Sequence, residues 1–160
     1  MIKPSVIVFG VGHSNTSITV RQVEALGWCA WKAEGSFHEH PGFVEQSRRI
    51  QQGKSYDLTA MQRCVTDLEQ HAPWTVKDPF LIWSLDKWAP LFASNPVLLW
   101  ITKNPESVLK SHLRRRETVD AEGVAYRHCL AQDQFDRWPG GKLRLAAEAI
   151  ASAIALWEPR

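Results

Sequence analysis

The sequence predicts an α/β protein: one domain built in three layers on a doubly wound parallel sheet. Two runs, Val6–Phe9 (VIVF) and Pro96–Ile101 (PVLLWI), are apolar throughout. Strands that alternate apolar and polar residues have one wet face, so runs with no alternation fit strands covered on both sides. Strand candidates and amphipathic segments follow one another along the chain, the order that gives a parallel sheet with helices on both faces. The length, 160 residues, allows one domain with a real core and is too short for two.

In chain order, Val6–Phe9 is the first strand and ends at Gly10. A helix follows, with Ile18, Val20, Val23, Ala25 and Leu26 apolar and Arg21, Gln22 and Glu24 polar, and Gly27 stops it. Trp28–Ala33 (WCAWKA) is a second, weaker strand candidate, and Glu34–Gly42 (EGSFHEHPG) reads as a loop punctuated by Gly and Pro. Phe43–Gln52 and Asp57–His71 are helices, the second capped by Asp57 or Thr59. Trp74–Lys77 is a short strand, and the apolar residues from Phe80 to Leu91 are partly helical in spacing. After Pro96–Ile101, Pro105 fits the first turn of a helix, PESVLKSHLRRR. Glu122–Arg137 is a helix with Val124, Tyr126, Leu130 and Phe135 as candidate buried residues. Leu143–Ala147 is the last strand and Ala149–Trp157 a closing helix. Trp74, Trp83, Trp88 and Trp100 are assigned to the core, and His71, His112 and His128 to the surface.

Composition narrows the function classes. Hydrophobic residues are 44% and charged residues 22%, the balance of a soluble globular protein. The net charge of +2 gives no global pull toward nucleic acid or membrane, and neither is expected as a partner. Positive charge is local, at Lys103, Lys110 and Arg114–Arg116, which suits a small polyanion. Three cysteines, Cys29, Cys64 and Cys129, without a C-x-x-C pair fit a reducing cytoplasm. His38 and His40 fall on opposite faces of an extended segment, so no metal site is expected. The oligomeric state is left open.

Ligands of parallel sheets bind outside the carboxyl ends of the strands. Here those ends carry Gly10 to Ser17, then Lys77-Asp78, then Lys103-Asn104. The first segment has two glycines, Gly10 and Gly12, and the hydrogen-bonding residues His13, Ser14, Asn15, Thr16 and Ser17 at a helix start. Free N–H groups there, with glycines that admit an anion, favour a phosphate or sulfate. A Walker A loop needs a lysine before its Ser or Thr, and this loop has none. A dinucleotide loop fits Gly10-Val11-Gly12, with Glu34 as the ribose carboxylate after a second strand, but Asn15 stands at the third glycine.

Over residues 5 to 117 the chain resembles the sulfotransferases that use 3′-phosphoadenosine 5′-phosphosulfate, notably the tyrosylprotein type and small bacterial relatives. Gly12-His13-Ser14-Asn15-Thr16-Ser17 looks like the 5′-phosphosulfate loop of that family, and Val76-Lys77-Asp78-Pro79-Phe80 like its K-D-P segment. Lys103-Asn104-Pro105 with Ser111 looks like its 3′-phosphate segment, and Pro41-Gly42-Phe43-Val44-Glu45 is similar to a further stretch of the bacterial relatives. His13 replaces an Arg or Lys, Asn15 a glycine, and Lys103 an arginine.

The resemblance implies a P-loop nucleotide-binding fold and transfer of a sulfuryl group to a hydroxyl or amine of a small-molecule or peptide acceptor. Gly10, Gly12, Ser14, Asn15, Thr16 and Ser17 would hold the 5′-phosphate. Lys103 and Ser111 would grip the 3′-phosphate, with Arg115 one turn after Ser111. Lys77 would neutralise charge on the bridging oxygen, and His13, when protonated, would stand in for the missing loop cation. Glu34, 21 residues after His13, is the expected base, with Glu45 and His38 as alternatives.

Overall fold

The computed structural model describes residues 3–11, 16–35 and 38–147. Strand β1 (Val6–Phe9) is central, with β2 (Thr75–Lys77) on one side and β3 (Val97–Thr102) on the other. Strand β4 (Lys142–Ala146) lies beyond β3, and every pairing is parallel, in the order β2-β1-β3-β4. The register sets Val8 opposite both Lys77 and Leu99.

The two apolar runs become the two interior strands because each is covered on both faces. Ile7, Phe9, Leu98 and Trp100 point into the larger core with Phe43, Met61, Trp88 and Val124. Val6, Val8, Leu99 and Ile101 point the other way, onto Val20. That residue belongs to α1 (Thr16–Ala25), which forms the second outer layer. The larger layer holds α2 (Pro41–Gln51), α3 (Leu58–Glu69), α4 (Leu81–Trp88), α5 (Pro105–Arg114) and α6 (Ala121–Arg137). The predicted three-layer, doubly wound parallel sheet is therefore the observed one.

Local chemistry accounts for the helix boundaries. Asp57 caps α3, its side chain accepting from the Ala60 N–H at 3.0 Å. Asn104 caps α5 ahead of Pro105, and Asp120 caps α6. Helix α2 starts two residues earlier than the sequence suggests: Pro41 suits the first turn, and His40 Nδ1 accepts from the Gly42 N–H at 3.1 Å.

Three expectations need correcting. Residues 28–33 form no strand; only Cys29 makes an isolated parallel bridge, to Trp74. The segment is too short of paired backbone to extend the sheet past β2. His112 is buried, 2% exposed, because α5 turns Val108, Ser111 and His112 inward at helical spacing. Tyr126 is 61% exposed, since α6 buries Val124, Ala131 and Gln134 instead. The expected closing helix, 149–157, lies outside the described residues.

Candidate functional site

The strand order places one crossover on each side of β1: β2 lies to one side, and the chain then passes over β1 to reach β3. Such a reversal opens a crevice outside the carboxyl ends of the strands at the switch, here β1 and β3. Gly10 and Val11 leave β1 buried, and the chain re-emerges at Thr16 and Ser17, the half-buried first residues of α1. The N-terminus of α1 therefore lies at the carboxyl edge, where a helix N-terminus and its dipole favour an anion. Gly12, His13, Ser14 and Asn15, all sequence-predicted site residues, lie outside the described residues.

Strand β2 delivers Lys77 and Asp78 to the same edge. The Lys77 side chain is 5% exposed and its Nζ lies 2.6 Å from Glu39 Oε1. A lysine is rarely buried this deeply without a partner, and here Glu39 supplies the opposite charge. Glu39 reaches it from a small hairpin: Glu34 and Glu39 exchange backbone hydrogen bonds of 2.9 and 3.1 Å. The chain reverses through Gly35, at φ +71°, and His38, at φ +56°. Glu34, the expected base, is exposed at the start of this hairpin. Of its alternatives, Glu45 is exposed on α2, and His38 Nε2 lies 2.8 Å from Glu24 Oε2.

Asp78 is 1% exposed. Its Oδ1 accepts from the Phe80 N–H at 2.8 Å, while Oδ2 has no hydrogen-bond partner among the described residues. Burial pushes its pKa up to about 6, against the pull of the Ser47 hydroxyl and the Phe80 N–H. Asp78 carries the strongest electrostatic perturbation on this edge, and sequence reasoning gave it no role although it stands inside the K-D-P segment. Glu39 was also missed, and no sequence signal marks it, because its position depends on the hairpin.

Strand β3 delivers Lys103, half-buried, whose carbonyl lies 3.2 Å from His128 Nε2 and so ties α6 to the edge. Ser111 lies farther along α5, about 9 Å from Pro105 at 1.5 Å per residue. It is 9% exposed, its hydroxyl donates to the Ser107 carbonyl at 3.1 Å, and it accepts from Arg114 rather than Arg115. Arg115 is the exposed C-cap of α5, at the end away from Asn104. The geometry thus gathers Gly10, Thr16, Ser17, Lys77 and Lys103 at one edge and sets Ser111 and Arg115 at a distance along α5.

Burial raises the Cys64 thiol to about 12, which leaves it inert. Burial also lowers the pKa of His40, which caps α2. Among the described residues no group of three or more His, Cys, Asp or Glu could hold a metal ion, and no helix is long and apolar enough to cross a membrane.

No protein-family model matches the chain, and no curated protein sequence matches it. Solved structures do resemble it. A deoxyadenosine kinase from M. mycoides, with bound dATP, is similar at a TM-score of 0.56 and 11% identity, over 94% of this chain and 99% of that one. A gluconokinase from Sinorhizobium meliloti 1021 gives 0.48 at 12% identity over 98% of each chain. A sugar kinase from Janibacter sp. HTCC2649 gives 0.48 at 13% identity, over 97% and 94%. The likeness to the first is one of fold: an α/β chain with helices packed on both faces of a parallel sheet.

Proposed function

We propose that this chain binds an adenine nucleotide at the carboxyl edge of β1, β2 and β3 and transfers a sulfuryl group from 3′-phosphoadenosine 5′-phosphosulfate to a hydroxyl or amine. One observation carries the reading. The three segments that resemble sulfotransferase motifs, 12–17, 76–80 and 103–111, are separate in sequence, yet each follows one of three adjacent parallel strands. The fold contributes the anion-binding end of α1, and the absence of a Walker lysine argues against ordinary ATP chemistry.

In this reading the loop from Gly10 to Ser17, including Gly12, His13, Ser14 and Asn15, holds the 5′-phosphosulfate. The bond between sulfur and the bridging phosphate oxygen breaks as the acceptor oxygen or nitrogen bonds to sulfur. Lys77 stabilises the negative charge left on the bridging oxygen, and Glu39 fixes where its ammonium stands. Glu34, which carries no ion pair among the described residues, takes the acceptor's proton. Lys103 grips the 3′-phosphate, while Ser111 and Arg115 lie farther along α5 and stand outside this grip. The donor leaves as 3′,5′-adenosine bisphosphate, the balance of the reaction requiring no metal or redox partner. The likeness to a deoxyadenosine kinase favours a second reading, phosphoryl transfer from ATP at the same edge.

Calorimetric titration with 3′,5′-adenosine bisphosphate, ATP and NAD separates the possibilities. The bisphosphate is expected to bind, and Lys103→Ala to weaken it about tenfold or more, the cost of losing one charged hydrogen bond. Lys77→Ala extends the test to the K-D-P segment, and Ser111→Ala asks whether the rest of the third segment contributes. Binding of ATP alone would move the assignment to phosphoryl transfer, and NAD alone to a dinucleotide-binding protein. Binding of none would leave a non-catalytic domain of this fold.

A further inference from the structure

A second cleft lies away from the strand edge, between the C-terminal half of α5 and the start of α6. Its volume is about 640 Å³, and Leu109, Leu113 and Val119 give it apolar walls beside Arg127, Glu117 and Asp120. This size falls within the range of small-molecule sites. Its three charged side chains are not equivalent. Asp120 Oδ1 is spent capping α6, accepting from the Gly123 N–H at 2.8 Å. Glu117 Oε2 is held on His112 Nδ1. Arg127 is half-buried and its guanidinium lies 5.5 Å from the centre of the Trp83 ring. It makes no hydrogen bond or ion pair with any described residue. Burial lowers its pKa, and the field of Glu117 opposes that shift.

We propose that the α5–α6 cleft is a binding site for a small amphipathic carboxylate, its apolar body against Leu109, Leu113 and Val119 and its carboxylate on Arg127. A guanidinium has five donors in a fork that matches a carboxylate with two parallel hydrogen bonds, and none of them is taken by a described residue. Trp83 lies against the cation within cation–π distance and restrains it before anything binds. Each acid of the lining already has a partner in the fold, Asp120 on the Gly123 N–H and Glu117 on His112, and Arg127 is the one cation of the lining among the described residues. Leu113, 60% exposed, supplies apolar surface that nothing in the fold uses. The site is separate from the strand edge and does not rest on the transfer chemistry.

The test uses octanoate as the probe and octanol as its neutral counterpart, titrated calorimetrically into the full chain. Saturable octanoate binding is expected, about tenfold or more tighter than octanol, as one charge-assisted pair gives. Arg127→Gln should lose that margin. Leu113→Asp places a like charge on the exposed rim, where folding does not depend on it, and should weaken octanoate binding by a similar factor. Amide chemical shifts on octanoate addition should map to α5 and α6. Equal affinity for octanoate and octanol, unchanged affinity in either variant, shifts confined to the strand edge, or no saturable binding would each overturn the proposal.

Discussion

Asp78 shows how much one buried carboxyl can weigh. Its ordinary value of 3.8 is raised to about 6 in the folded chain, chiefly because burial disfavours the anion. The folded state therefore prefers the protonated acid. The stability this confers is fully present below the unfolded-state value of 3.8 and is lost as pH rises through about 6. The loss is about 3 kcal/mol, two pK units at about 1.4 kcal/mol each. Asp78→Asn keeps an acceptor for the Phe80 N–H and removes the titration. Urea unfolding of the two proteins at pH 4.5 and 7.5 should show the variant gaining on the parent by about 2 kcal/mol between the two pH values, since about 1 kcal/mol is already lost at pH 4.5. A difference that does not change with pH would contradict the assignment. The sequence places Asp78 beside Lys77 but says nothing of its burial, which comes from the helices packed over β2.

Helix boundaries were largely legible because they are written in short-range chemistry. Asp57, Asn104 and Asp120 each accept from a backbone N–H two or three residues on, satisfying donors that the helix itself leaves open. Asp57→Ala should cost about 1 kcal/mol through α3 alone. Thermal unfolding checks this, and a neutral result would mean that the cap is replaced by solvent. The strand expected at 28–33 failed for the opposite reason. It is largely apolar, but a strand also needs a neighbour along its length. Beyond β2 the segment finds only the bridge between Cys29 and Trp74, with the Cys29 N–H donating to the Pro73 carbonyl and the Cys29 carbonyl accepting from the Thr75 N–H. Pairing is a property of two segments, and one segment's sequence cannot report it. The hairpin at 34–39 is the same lesson in reverse: a stretch read as loop is pinned by paired backbone and carries Glu39 to Lys77.

At the scale of the whole molecule, a ligand that binds only the folded chain must stabilise all of it. At a concentration one hundred times its Kd, 3′,5′-adenosine bisphosphate should add about 2.7 kcal/mol. That corresponds to a rise in Tm of roughly 5–10 °C for a domain of this size. Differential scanning calorimetry reads it directly, and an unmoved transition would count against binding at the strand edge. The sequence by itself determined the class of this protein: two wholly apolar runs required a sheet covered on both faces, and the alternation of elements required it to be parallel. It also marked three strand ends as the place for an anion, since glycine, hydroxyl and lysine residues recur there. Only the tertiary structure decided the strand order, β2-β1-β3-β4, which brings those ends together at the switch between β1 and β3. Only the tertiary structure buried Lys77 and Asp78 and set Glu39 on the lysine. Strand identity follows from side chains that lie close in sequence. Strand order, burial and ion pairing depend on segments that meet only when the chain closes on itself.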